Sequence, residues 1–247
     1  RMLLEAKVNN EGCRALAVWT GILIDQMKSD DPKVAEPAEA LVALFTPIIK
    51  AHFTDLGCET CSTCMQVMGG AGYCSEFGVE QFYRDVRISK IWEGTNGIQA
   101  LDLAGRKITQ NMGKNLRHLM WPLTEFIEKN RDIPEMGEFN KPLHQGVRGL
   151  QQITLLMIAE GMANPHFLAA LAAGATDYCR YFGNVLLGYM WAKMAKVCLE
   201  RQGEPFYDAK LASARFFFKR IYPETVSLAA KIQSGPKTLM DYPAEMF

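Results

Sequence analysis

Apolar residues recur at three- and four-residue spacing along almost the whole chain, and no segment alternates with a period of two between turn residues. A chain patterned this way has one route to a core, helices that bury an apolar stripe against other helices. The fold class is therefore all-α. The first helix covers residues 2–27, with Leu4, Val8, Ala15, Val18, Trp19, Ile22 and Leu23 on its stripe, and Ser29-Asp30-Asp31-Pro32 ends it. A second is predicted over residues 36–68, bent at Pro47, whose ring removes a backbone donor. Residues 69–78 carry four glycines in ten positions and read as a loop. A helix over 79–87, a turn at Trp92-Glu93-Gly94-Thr95 and a helix from Asn96 follow. Asn111-Met112-Gly113 reads as a junction and 131–142 as an interhelical loop. Asn164-Pro165 offers a cap and a first-turn proline for a helix reaching Arg201. The last helices cover 206–221 and 224–233. Two all-helical modules result, 1–110 and 111–247.

The 247 residues carry 27 basic and 27 acidic side chains, so no global basic field recommends nucleic acid or an anionic membrane as the main partner. No apolar run approaches the roughly 18 residues of a membrane span. The seven cysteines are an odd number, and no secretory leader accompanies them, so reduced thiols and a cytoplasmic location are expected. Cys58-x-x-Cys61-x-x-Cys64 has the look of a metal run, but the position a ferredoxin-type fourth cysteine would take is Met68. Spacings of three also put the thiols within reach of one helical face, as small apolar fillers. No metal is expected. The chain opens in mid-pattern at Arg1-Met2-Leu3-Leu4-Glu5, as a piece of a longer protein would.

Candidates for chemistry are few. His52, His118, His144 and His166 lack metal-pair spacing and read as surface or half-buried imidazoles. Gln66-Val67-Met68-Gly69-Gly70-Ala71-Gly72-Tyr73 places glycines directly after a helix, where main chain can approach a ligand and aim N–H groups at an anion. A helix C-cap explains one of those glycines and not three. Glu93 sits in a turn before a helix capped by Thr95 or Asn96. Between an aromatic wall and a helix start, such a carboxylate has the makings of a general base; an ordinary solvated turn residue is the alternative.

Three strings, the glycine string above, Tyr83-Arg84-Asp85-Val86-Arg87-Ile88 and Ile91-Trp92-Glu93-Gly94-Thr95-Asn96-Gly97-Ile98-Gln99, resemble in order and spacing the C-terminal helical domain of FAD-dependent acyl-CoA dehydrogenases. Phe206-Tyr207-Asp208-Ala209-Lys210-Leu211 through Tyr222-Pro223 is similar to the extra C-terminal helical domain of a long bacterial subgroup that includes the methylthiopropionyl-CoA dehydrogenases. The resemblance implies a C-terminal bundle lacking its first helix, followed by that second domain. It implies dehydrogenation of an acyl-CoA thioester to a trans-2-enoyl-CoA, with Glu93 taking the α-proton and its main-chain N–H helping to hold the thioester oxygen. Trp92 and Gly94 would line the acyl slot. Thr95 and Gly97 would approach the FAD of the same subunit; Gln66, Gly69 and Gly70 would reach that of a neighbour. A homodimer or higher oligomer and an acceptor such as electron-transfer flavoprotein follow. Arg84 and Asp85 are expected to form an ion-paired brace. The resemblance implies that most FAD contacts would come from a β-barrel upstream of Arg1, so the chain alone is expected to be inactive. The alternative from another class is a helical assembly module that has lost catalysis.

Overall fold

Among the residues that the computed structural model describes, 1–163 and 167–246, every regular element is helical and none is a strand. In chain order these are α1 (Met2–Gln26), α2 (Pro32–Ile48), α3 (Thr54–Met68), α4 (Val79–Ile88), α5 (Asn96–Leu101), α6 (Gln110–Lys129), α7 (Gly137–Ala163), α8 (Phe167–Leu199), α9 (Pro205–Phe216), α10 (Glu224–Gln233) and the single turn α11 (Lys237–Met240). Three π-helical segments, Ile49–Phe53, Asp102–Lys107 and Phe217–Ile221, extend α2, α5 and α9.

Several boundaries differ from the sequence reading. Helix α2 begins at Pro32, where Asp31 Oδ1 accepts from Lys33 N–H at 2.9 Å and proline takes the first helical position. The bend expected at Pro47 takes the form of the π segment that follows it, and α2, that segment and α3 run on as one rod. The glycine-rich stretch is wound into two 3-10 turns, Gly69–Tyr73 and Ser75–Phe77. Helix α6 spans the expected junction, with Met112 and Gly113 at positive φ near its start. Pro142 lies inside α7, not in a loop. The helix start read at Asn164-Pro165 and the reading of His166 fall outside the described residues.

The rod from Pro32 to Tyr73 is long and apolar enough by composition to cross a membrane, yet half of its most apolar stretch is buried in protein, as befits a core helix. The true centre is α8. Residues 181–192 are all buried, so this stretch of the helix has no solvent face and must be surrounded. It packs against α1, α5, α7, α9, α10 and the first two π segments. The resulting hydrophobic cluster is continuous from Val8 to Ile232 and draws on both halves of the chain.

Close approach at two glycines lets large side chains reach α8. A Cβ on Gly188 would stand 2.4 Å from the Tyr222 ring, and one on Gly183 2.4 Å from His52 Cδ2. His52 is thus not the surface or half-buried imidazole that its sequence context suggests. It is 2 % exposed, and neither ring nitrogen has a hydrogen-bond partner. Burial, with the nearby Arg180 guanidinium adding to it against Asp55 and Glu224, lowers its pKa from 6.5 to about 4.

The folded protein therefore holds His52 neutral in a range where the unfolded chain protonates it. The resulting stability is fully present above about pH 6.5 and falls as pH drops toward 4, by roughly 3 kcal/mol in all from this one group. Urea unfolding at a series of pH values is expected to show a shallower acid decline for His52→Leu than for wild type. Parallel declines would contradict the assignment.

Candidate active site

The turn that carries Glu93 is held at both ends by one carboxylate of α3. Lys90 Nζ, just before the turn, lies 2.6 Å from Asp55 Oδ1. Asn96, just after it, reaches the same oxygen with Nδ2 at 3.0 Å. The Asn96 N–H then closes the loop onto the Lys90 carbonyl at 3.1 Å. The rest of the Asn96 amide is also engaged. Oδ1 accepts from Lys50 Nζ at 2.9 Å, and Nδ2 approaches the Ala51 carbonyl at 3.1 Å and Thr54 Oγ1 at 2.9 Å. The Thr54 hydroxyl in turn donates to the Lys50 carbonyl at 2.7 Å. Lys50 and Ala51 belong to the first π segment, whose irregular turn departs from the regular helical ladder, a feature frequent at functional sites.

Between these anchors the backbone is forced into an unfavourable region. Glu93 has φ 56° and Gly94 φ 85°. The left-handed conformation is routine for glycine and costly for glutamate. The positive φ of Gly94 is what calls for glycine there; a Cβ would meet only the mobile end of Gln99, whose Nε2 donates to the Glu93 carbonyl at 3.4 Å. Thr95, not Asn96, caps α5, its Oγ1 accepting from Ile98 N–H at 3.3 Å. That leaves Asn96 free for the clamp. No hydrogen bond within the described residues uses the N–H groups of Glu93 and Gly94, so both are available to a ligand.

The expected site residues fall into two clusters. Trp92, Glu93, Gly94, Thr95 and Gly97 share the turn and the first turn of α5, all exposed except the half-buried Gly94, with Ile88, Ile91 and Ile98 exposed around them. Gln66, Gly69 and Gly70 stand at the end of α3 and in the first 3-10 turn, exposed, with open space where a Cβ on either glycine would point. The expected brace does not form. Arg84 makes no ion pair among the described residues, and Asp85 accepts from Gln81 one helical turn back at 2.7 Å. Adjacent residues on a helix point in different directions, which is why a sequential Arg-Asp pair does not close. Its work is done by Lys50, Thr54, Asp55, Lys90 and Asn96, which sequence reasoning did not assign to the site. Their only local signal is the short spacing of Lys50, Thr54 and Asp55.

Comparison with known proteins identifies the family of the chain. The family description "Acyl-CoA dehydrogenase, C-terminal domain" matches residues 2–108, and "Acetyl-CoA dehydrogenase C-terminal like" matches residues 119–243. The chain belongs to the acyl-CoA dehydrogenase family. It is 30 % identical to 3-methylmercaptopropionyl-CoA dehydrogenase of Ruegeria pomeroyi over 97 % of this chain and 41 % of that protein. It is 29 % identical to a butyryl-CoA dehydrogenase of Syntrophomonas wolfei, over 99 % of this chain and again 41 % of the relative. The chain thus spans about two fifths of the length of these curated relatives. Among solved structures, Caenorhabditis elegans ACDH-11 in complex with C11-CoA shares the fold, with a TM-score of 0.64 at 16 % identity, covering 85 % of this chain and 34 % of that one. The family acts on acyl-CoA substrates, is FAD-dependent in general and is typically oligomeric.

The residues here fit FAD only as separate edges of sites. The open main chain at Gly69 and Gly70 is one edge, and the free N–H groups of the turn are another, each able to meet a flat, anionic cofactor from one side. They do not enclose it. The larger cavities among the described residues lie elsewhere, such as one of about 650 Å³ walled by Ile108, Leu116, Met120 and Leu155.

The strain at Glu93 gives a direct test. Glu93→Gly is expected to raise stability by about 0.5–1 kcal/mol, the relief of positive φ exceeding the added chain entropy. Glu93→Ala keeps the strain and should leave the urea midpoint close to wild type. Equal effects of the two substitutions would show that φ is not the cause.

Proposed function

We propose that the protein of which this chain forms part oxidises an acyl-CoA thioester at its α,β-carbons, with Glu93 as the base. The observation that carries this reading is the turn itself. A glutamate is held at positive φ, beside an exposed tryptophan, by a clamp that consumes every polar group of Asn96. Strain of this kind persists only where surrounding structure over-determines it, and it concentrates at functional sites. The naming of two relatives for 3-methylmercaptopropionyl-CoA and butyryl-CoA supports a CoA thioester as substrate.

In this reading the Glu93 carboxylate removes the proton from the thioester α-carbon. The unpaired N–H of Glu93 faces the thioester oxygen and stabilises the enolate charge as it develops. Trp92 and Gly94 wall the acyl chain, the indole supplying apolar surface and the glycine leaving room. Thr95 and Gly97 would hold the cofactor of the same subunit, and Gln66, Gly69 and Gly70 that of a neighbour in a homo-oligomer. Bound FAD would supply the hydride acceptor for the β-hydrogen, with an acceptor such as electron-transfer flavoprotein to receive the electrons. The exposure of Glu93 in this chain matches a site whose opposite wall is contributed by the cofactor, substrate and other protein segments. A cytoplasmic location accords with seven free cysteines.

The test is Glu93→Gln in the full-length gene product, assayed with short acyl-CoA substrates. Dehydrogenation is expected to fall by about 10²–10⁴-fold, the range for loss of a general base, with FAD still bound. Unchanged turnover with Glu93→Gln would move the base elsewhere. Absence of turnover in the wild type would favour an assembly role.

A further inference from the structure

Asn96 bonds to five partners although it touches no substrate in the proposed reaction, and its contacts all serve one geometry. Its Oδ1 and Nδ2 bind Lys50, the Ala51 carbonyl, Thr54 and Asp55, while its N–H closes the turn on the Lys90 carbonyl. Asp55 also receives Lys90, so entry and exit of the turn converge on one oxygen. The partners are all half-buried or buried, where such bonds keep more of their strength than at an open surface.

Below the clamp, the π segment that presents Lys50 and Ala51 is itself seated. Its next residue, His52, lies flush on Gly183 of α8, with no space for a Cβ between them. On either side of that contact, Arg180 of α8 binds Glu59 of α3 and Glu224 of α10, and Asn184 donates to the same Glu224 at 2.9 Å. A continuous path of fixed contacts therefore runs from the buried central helix, through the π segment, to the turn that carries Glu93.

We infer that Asn96 is a positioning residue for the Glu93 base, and that the C-terminal half of the chain supplies, through α8, the floor on which its clamp is built. The inference rests on the dehydrogenase reading for its catalytic consequence, and on geometry alone for the hold on the turn. A carboxylate at positive φ swings with small changes in its backbone, and displacement of a reacting group by about 1 Å is worth on the order of 10² in rate.

The experiment compares wild type, Asn96→Ala and the near-isosteric Thr54→Val, each as full-length gene product. With a substrate dideuterated at the α-carbon, Asn96→Ala is expected to lower kcat by about 10²-fold. KM and FAD content should stay near wild type, and the α-deuterium isotope effect should rise as proton removal becomes limiting. Thr54→Val should move the same quantities in the same direction by less, which covers the case in which Asn96→Ala does not fold. A second arm uses this 247-residue chain and a protease specific for glutamate. Cleavage after Glu93 is expected to be at least about tenfold faster in Asn96→Ala than in wild type, because the freed turn opens locally. Unchanged kcat, isotope effect and cleavage in folded variants would overturn the inference. A wild type without turnover would sink the dehydrogenase reading and with it the catalytic role. The cleavage arm would then decide alone whether Asn96 holds the turn.

Discussion

A helical stretch of twelve residues with no solvent face dictates the arrangement of everything around it. Residues 181–192 of α8 are buried without interruption, so the remaining helices must supply a complete wall. They do so by close approach where α8 carries glycine and by aromatic contact elsewhere. Tyr189 meets both Trp19 of α1, at 5.5 Å between ring centroids, and Phe126 of α6, also at 5.5 Å. Trp191 stacks on Phe217 of the third π segment. Tight interiors transmit displacement, because packed side chains have few alternative arrangements. A disturbance at α8 is therefore felt at the π segment that rests on it.

That coupling gives the exposed turn its rigidity. A turn bearing Trp92 and Glu93 at the surface has little apolar burial of its own, and such segments are ordinarily the first to open. Here polar contacts take the place of burial. Lys90 and Asn96 share Asp55, and the loop closes on itself between Asn96 and Lys90. The unfavourable φ of Glu93 offsets part of that stabilisation, a cost consistent with a residue kept for chemistry instead of stability.

Much of this was legible in the sequence, because helical periodicity and the glycine and proline punctuation are local signals. The all-α class, the turn at residues 92–95 and the later helices followed from them. The positions of the three π segments did not, since a π turn uses the same residues as the α-helix around it and differs by one inserted position. His52 was misread for a related reason. Its burial is decided by Gly183, 131 positions away in the chain, and no local pattern reports that contact. The clamp was invisible on the same grounds: Lys50, Thr54 and Asp55 meet Asn96 only after α3 and α5 are packed. The turn at Glu93 was expected from its motif, and the structure added what the motif does not contain, a strained backbone and the side chains that hold it.

The central claim is that Glu93 is delivered to the substrate by a turn already set in shape before any ligand binds. The most direct measurement is a crystal structure of the full-length gene product with FAD and an unreactive acyl-CoA analogue. A Glu93 carboxylate oxygen is expected within about 3–3.5 Å of the α-carbon, with the Asn96 contacts to Lys50, Thr54 and Asp55 retained. A different carboxylate against the α-carbon, or a Glu93 turn rebuilt with those contacts broken, would contradict it.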